Sequence, residues 1–145
     1  MANVSTASAQ WQGDLEHGLG LISLDSSQVL TETPYNFKAR AEHSASITTP
    51  EELLGAAHAA CFSMAFSMVL GEQGLKAESI DTQANVTFAI TANGPEITQI
   101  QLKNHCKIDG ITPEDFQKLA NVVKDTCPVS KALSGVKITL EASLN

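Results

Sequence analysis

The stretch TPEELLGAAHAACFSMAFSMVLGEQG, residues 49–74, decides the fold of this chain. Thr49 is a natural N-cap, Pro50 suits the first helical position, and Glu52 stands three residues after the cap. Glu51 and Glu52 put negative charge where a helix N-terminus favours it, and Gly74 supplies a stop. From Leu53 to Leu70 there is no Asp, Glu, Lys or Arg. Such a run is long enough to be weighed as a membrane span. Against that, it is rich in small residues and holds His58, Ser63 and Ser67, and no Lys or Arg near either end sets an orientation. A buried helix of a soluble protein is the expectation. A helix that is apolar on every side needs cover on every side, and one sheet covers only part of it. A second copy of the helix is the simplest remedy, which predicts a homodimer with two central helices wrapped by antiparallel β-sheets.

Outward from this helix the patterning changes. Upstream, short strands are expected at Ala9–Gln12, Gly18–Leu24, Val29–Thr31 and Tyr35–Glu42, punctuated by Gly13-Asp14, Asp25-Ser26-Ser27 and Thr33-Pro34. Downstream, strands are expected near Ser79–Thr91 and Glu96–Ile108, with Ala92-Asn93-Gly94-Pro95 as the turn. Val86, Phe88 and Ile90 alternate on one strand; Ile100, Leu102, Asn104 and Cys106 alternate on the other. A second helix opens with Thr112 as cap and Pro113 first, and must end before Pro128. A short helical turn at Pro128–Leu133 and a strand at Val136–Ser143 complete a single α+β domain over residues 1–145.

Composition narrows the function. A chain of 145 residues with 43% hydrophobic and 17% charged residues suits one ordered domain. A net charge of −7 makes nucleic acid or an anionic membrane a poor partner. The N-terminus MANVSTASAQW has neither a basic region nor an apolar one, which argues against a secretory signal. Three cysteines, an odd number, do not make a disulfide framework, so a cytoplasmic location is expected.

Four residue types remain that can carry chemistry. Cys61 lies mid-helix, where a free cysteine is ordinarily a small buried hydrophobe and burial silences the thiol. A working thiolate there requires an outside cation. Cys127 precedes Pro128 at the start of the short helix, where free backbone N–H groups favour a thiolate, although an incidental loop cysteine reads the same way. Cys106, on a strand alternation, reads as structural. Arg40 is the sole arginine in the chain. It is either a solvated charge or a planar cation able to hold a thiolate and an oxygen-rich substrate. His58 shares a helix face with Cys61, as a core histidine or half of a Cys-His pair. His17, His43 and His105 show no metal-ligand spacing with the cysteines. Met64 and Met68 read as core or pocket wall.

Together, TPEELLGAAHAACFSMAFSM, CPVSKAL, PYNFKARAE and AQWQGDLEHGLG resemble the OsmC branch of the OsmC/Ohr family of thiol-dependent hydroperoxide reductases. The resemblance spans nearly the whole chain. It implies that Cys61 is the peroxide-attacking cysteine, Cys127 the resolving cysteine, and Glu51 the acidic partner of the catalytic arginine. The Ohr branch draws that arginine from a loop near the N-terminus; here Arg40 fits the OsmC position instead. The family fold is an intertwined α+β homodimer with two helices at its centre.

Glu51 precedes Cys61 by ten residues, about 15 Å along a straight helix. If the central helices cross antiparallel, Glu51 of one chain approaches Cys61 of the other, predicting two shared sites per dimer. The mechanism so implied forms a Cys61 sulfenic acid, then a Cys61–Cys127 disulfide that an external, lipoyl-type dithiol reduces. No metal, flavin or haem cofactor is called for. Tyr35, Phe37, Phe62 and Met64 are candidates for an apolar pocket wall. Two other classes stay in view. A dithiol oxidoreductase acting on proteins is disfavoured by the absence of a C-x-x-C motif. A non-catalytic dimer binding a hydrophobic ligand would tolerate Cys61→Ser.

Overall fold

The computed structural model describes every residue, Met1–Asn145. The chain forms two compact units, Met1–Leu53 and Leu54–Asn145. In the first, β1 (Ser8–Gln12), β2 (Leu19–Ser23) and β3 (Thr33–Tyr35) make an antiparallel sheet in that order. Gly20 lies against the Tyr35 ring, where a Cβ would fall only 2.1 Å from it, so glycine is what admits the ring.

Two upstream expectations are corrected. Tyr35–Glu42 is not a strand: β3 ends at Tyr35 and the helix α1 (Phe37–Glu42) follows. The Asn36 side chain accepts the Ala39 N–H at 2.7 Å, and that cap, with the helix-favouring Ala39 and Ala41 behind it, overrides the aromatic look of the segment. No strand forms at Val29–Thr31 either. The Gln28 N–H reaches the Leu24 carbonyl at 2.7 Å, and Gln28 itself takes a φ of 58°, so the chain turns where a strand was expected.

The helix α2 (Pro50–Glu72) leads into the second unit with the predicted bounds to within two residues. Its Thr49 cap accepts the Glu52 N–H at 3.1 Å. Next come the hairpin β4 (Ala77–Thr91) and β5 (Gly94–Ile108), the helices α3 (Pro113–Thr126) and α4 (Pro128–Ala132), and β6 (Lys137–Leu144). The Thr112 hydroxyl caps α3 by accepting the Asp115 N–H at 3.1 Å. The sheet order is β4-β5-β6, with β4–β5 antiparallel. The β5–β6 pair is parallel, a departure from the antiparallel pairing expected. The reason is connectivity: α3 and α4 form a crossover that returns the chain to run alongside β5.

The core of this unit follows from spacing. On α2, Gly55, His58, Phe62, Phe66 and Leu70 are buried at intervals of three and four residues, one helical face. Of these, Phe62, Phe66 and Leu70 meet the alternating Ile100, Leu102, Cys106 and Ile108 of β5 and the stripe Phe116, Ala120 and Val123 of α3. Phe66 stacks on Phe116 with centroids 5.6 Å apart and takes the edge of Phe62 at 5.8 Å. At Gly55 a Cβ would come within 3.2 Å of the Ala84 carbonyl, so the missing side chain lets α2 approach β4 closely. The other face of α2 is different. Ala56, Ala57, Ala60, Met64 and Met68 are exposed, Met64 at 75%. By length and composition α2 would also suit a membrane span, yet its inner face is built into a protein core.

Candidate active site

Each unit holds one chemically distinctive group. In the first, α1 carries Arg40 and the opening turn of α2 carries Glu51. The Arg40 Nε donates to Glu51 Oε1 at 2.9 Å, and Nη2 donates to the same oxygen. Glu51 is buried and its second oxygen, Oε2, has no hydrogen-bond partner. A planar guanidinium beside a buried carboxylate is held in one orientation, which suits recognition of an oxygen-bearing group. Beside it lies a cavity of about 300 Å³ walled by Trp11, Leu15, Tyr35, Phe37 and Pro50, with Arg40 on its edge. Trp11 and Tyr35 stack obliquely at 5.6 Å.

In the second unit, Cys61 of α2 and Cys127, between α3 and α4, meet. Their thiols interact directly, and both are free. Cys127 is fully buried and Cys61 partly so. Burial pushes the Cys61 thiol above its ordinary range; the Val129 N–H opposes this, and the neighbouring Cys127 reinforces it. The free amide that was expected to serve Cys127 therefore serves Cys61 instead. Cys127 makes no side-chain capping bond, because its sulfur is turned into the interior beside Cys61.

The other sequence candidates scatter. Tyr35 and Phe37 wall the cavity by Arg40, Phe62 is fully buried in the core, and Met64 lies on the exposed face of α2. Cys106 is buried, its thiol bonded to Asn104 Oδ1 at 3.0 Å and pushed up to about 11 by burial, which suits an inert structural residue. His58 is fully buried and contacts Ser130 Oγ through Nε2 at 2.7 Å; burial holds its pKa below the ordinary histidine value.

A sequence profile of the OsmC-like protein family matches residues 43–141. The chain belongs to the OsmC family. It is 45% identical over 136 residues to the peroxiredoxin OsmC of Escherichia coli K12, covering 94% of this chain and 93% of that protein. It is 30% identical to the organic hydroperoxide resistance protein OhrA of Bacillus subtilis, over 72% of this chain and 73% of that one. The crystal structure of an OsmC-like protein from Mycoplasma pneumoniae superposes with a TM-score of 0.76 at 17% identity, covering 99% of both chains, and speaks for the fold.

As an OsmC-family chain it also shows what motif reading passes over. Val129 and Ser130 follow Cys127 within CPVSKAL, and neither type announces a role. The available signal was spacing: Ser130 is three residues beyond Cys127, as His58 is three before Cys61. Trp11, Leu15 and Pro50 complete the cavity by Arg40, and no local pattern connects them.

Proposed function

We propose that this protein is a cysteine-based hydroperoxide reductase acting on organic hydroperoxides, and on hydrogen peroxide as well, in cellular stress defence. The observation that carries the reading is the direct meeting of the Cys61 and Cys127 thiols in a family whose 45%-identical relative is named a peroxiredoxin. Cys61 is assigned as the nucleophile. Its thiolate attacks the distal peroxide oxygen, the O–O bond breaks, the alcohol or water leaves with a proton, and sulfur is left as sulfenic acid. The Cys127 sulfur then attacks the Cys61 sulfur, expelling water and forming a disulfide. An external dithiol of the lipoyl type restores both thiols.

Because burial disfavours the Cys61 thiolate, the step needs a cation, and Arg40, oriented by Glu51, is assigned that role. The apolar walls Tyr35 and Phe37 favour a hydroperoxide with an organic group. The working form is proposed to be a homodimer joined through the exposed face of α2, where Ala56, Ala60, Met64 and Met68 leave an apolar strip uncovered. We place it in the cytoplasm, where thiols are kept reduced.

Stopped-flow oxidation of the reduced protein with cumene hydroperoxide, followed by mass analysis, tests this. The expected outcome is rapid loss of two thiols as a Cys61–Cys127 disulfide, abolished by Cys61→Ser. Oxidation no faster than that of a free thiol would sink the reading and leave a ligand-binding dimer in its place.

A further inference from the structure

We infer that His58 and Ser130 form a permanent latch that holds Cys127 in reach of Cys61 and so governs how fast the disulfide closes. The inference rests on the peroxidase reading, because it concerns the second step of that chemistry. Two matched intervals flank the thiols. Along α2 the chain runs from His58 to Cys61; from Cys127 it runs through α4 to Ser130. His58 contacts Ser130 and Cys61 contacts Cys127, so the two segments lie antiparallel and meet at two rungs, each three residues from the next. One rung is a pair of thiols. The other is a 2.7 Å hydrogen bond between side chains that are 0% and 4% exposed. Val129, adjacent to Ser130, directs its N–H to the Cys61 sulfur.

A core placement alone does not account for the histidine. Nδ1 of His58 is buried with no hydrogen-bond partner, so the ring carries an uncompensated polar atom in a run, Leu53 to Leu70, that holds no charged residue. A leucine would fill such a site without that cost. What the imidazole supplies is its other nitrogen, which ties α2 to α4 by a directional bond rather than by packing. Being fully buried, it is held as the neutral ring, able to exchange one hydrogen bond with the Ser130 hydroxyl.

Disulfide closure has a narrow geometric tolerance. In that step the Cys127 sulfur attacks the sulfenic sulfur of Cys61, the S–O bond breaks, and hydroxide takes up the thiol proton and leaves as water. Both thiol-bearing segments must therefore stay in register while one sulfur carries an extra oxygen. A bond one rung away that the chemistry leaves untouched keeps that register. His58 and Ser130 are thus positioning residues, with no contact to peroxide required of either.

The test is single-turnover oxidation with one equivalent of cumene hydroperoxide, resolving peroxide consumption from disulfide formation by quench and mass analysis. Ser130→Ala is expected to slow disulfide formation about tenfold or more, to leave peroxide consumption within about threefold, and to raise the yield of sulfinic acid at Cys61. Ser130→Thr, which retains the hydroxyl, is expected to restore closure. A double variant, His58→Leu with Ser130→Ala, removes both polar partners and keeps a filled core, so it folds without the latch. Slow closure in that folded double variant supports the latch. Closure at the wild-type rate in Ser130→Ala or in the double variant, or equal slowing of both steps, overturns it. If the wild type itself forms no disulfide, the peroxidase reading falls and the latch falls with it.

Discussion

The helices α2 and α3 bury similar stripes and differ on their outer faces. Inside, Phe62, Phe66 and Leu70 of α2 interlock with Phe116, Ala120 and Val123 of α3 over one core. Outside, α3 shows Glu114, Lys118 and Asp125, with a Lys118–Glu114 ion pair at 2.8 Å. The outside of α2 shows alanines and methionines instead. An amphipathic helix is finished by the sheet it packs on. A helix that is apolar on both faces is only half finished by it. The difference separates two situations: α3 turns a charged face outward, while α2 packs one face into the core and leaves an apolar face exposed, the face through which the homodimer is proposed to join.

Substitutions on the outer face of α2 carry the largest expected effect. Met64→Asp combined with Met68→Asp is expected to convert a dimer into monomers, read by analytical ultracentrifugation. If the double variant sediments as the wild type does, the outer face is not the joining surface. Next in size are the inner faces. Phe66→Ala and Phe116→Ala should each cost about 3–5 kcal/mol in denaturant unfolding, because both rings are fully buried against each other. A much smaller loss at Phe66 would mean that the inner face of α2 is not the core face. The pH response is milder. Burial lowers the folded pKa of His58, so the unfolded chain binds the extra proton first as pH falls. Stability from His58 is then complete above about pH 6.5 and declines as pH drops through the lower folded value. Urea midpoints from pH 7.5 to 5 should show that decline, and His58→Leu should flatten it. Smallest of all is Val122→Asp, on the outer face of α3 and 49% exposed, expected to move stability by no more than about 0.5 kcal/mol.

How much of this was legible in the sequence varied with the physics. α2 and α3 announced themselves through caps: Thr49-Pro50 and Thr112-Pro113 place both starts at the observed residue. The β4–β5 hairpin was readable because alternation over long strands is hard to mistake, and Ile100 to Cys106 face the core as alternation requires. The first unit was read less well. YNFKARAE looks extended by its aromatic residues, and a single Asn36 cap decides otherwise. The parallel direction of β6 is a property of the crossover, and no residue within Lys137–Leu144 encodes it. At the site, Cys61, Cys127 and Arg40 stood out by type and position, and Glu51 through the family resemblance. The contact between Cys61 and Cys127, and the His58–Ser130 bond beside it, depend on two segments far apart in the chain and were out of reach of local pattern.

The parallel register of β6 on β5 has a consequence for the order in which the molecule assembles. Hairpin β4–β5 and helix α2 form from near neighbours, whereas β6 can pair only after the long crossover has closed its loop. Cys127 and Ser130 ride on that crossover. In kinetic terms the thiol pair is therefore expected to form late, with Cys61 in a formed helix before its companion arrives. Pulse-labelled hydrogen exchange during refolding should protect β4 and β5 before β6, and thiol-reactive labelling at Cys127 should persist until β6 is protected.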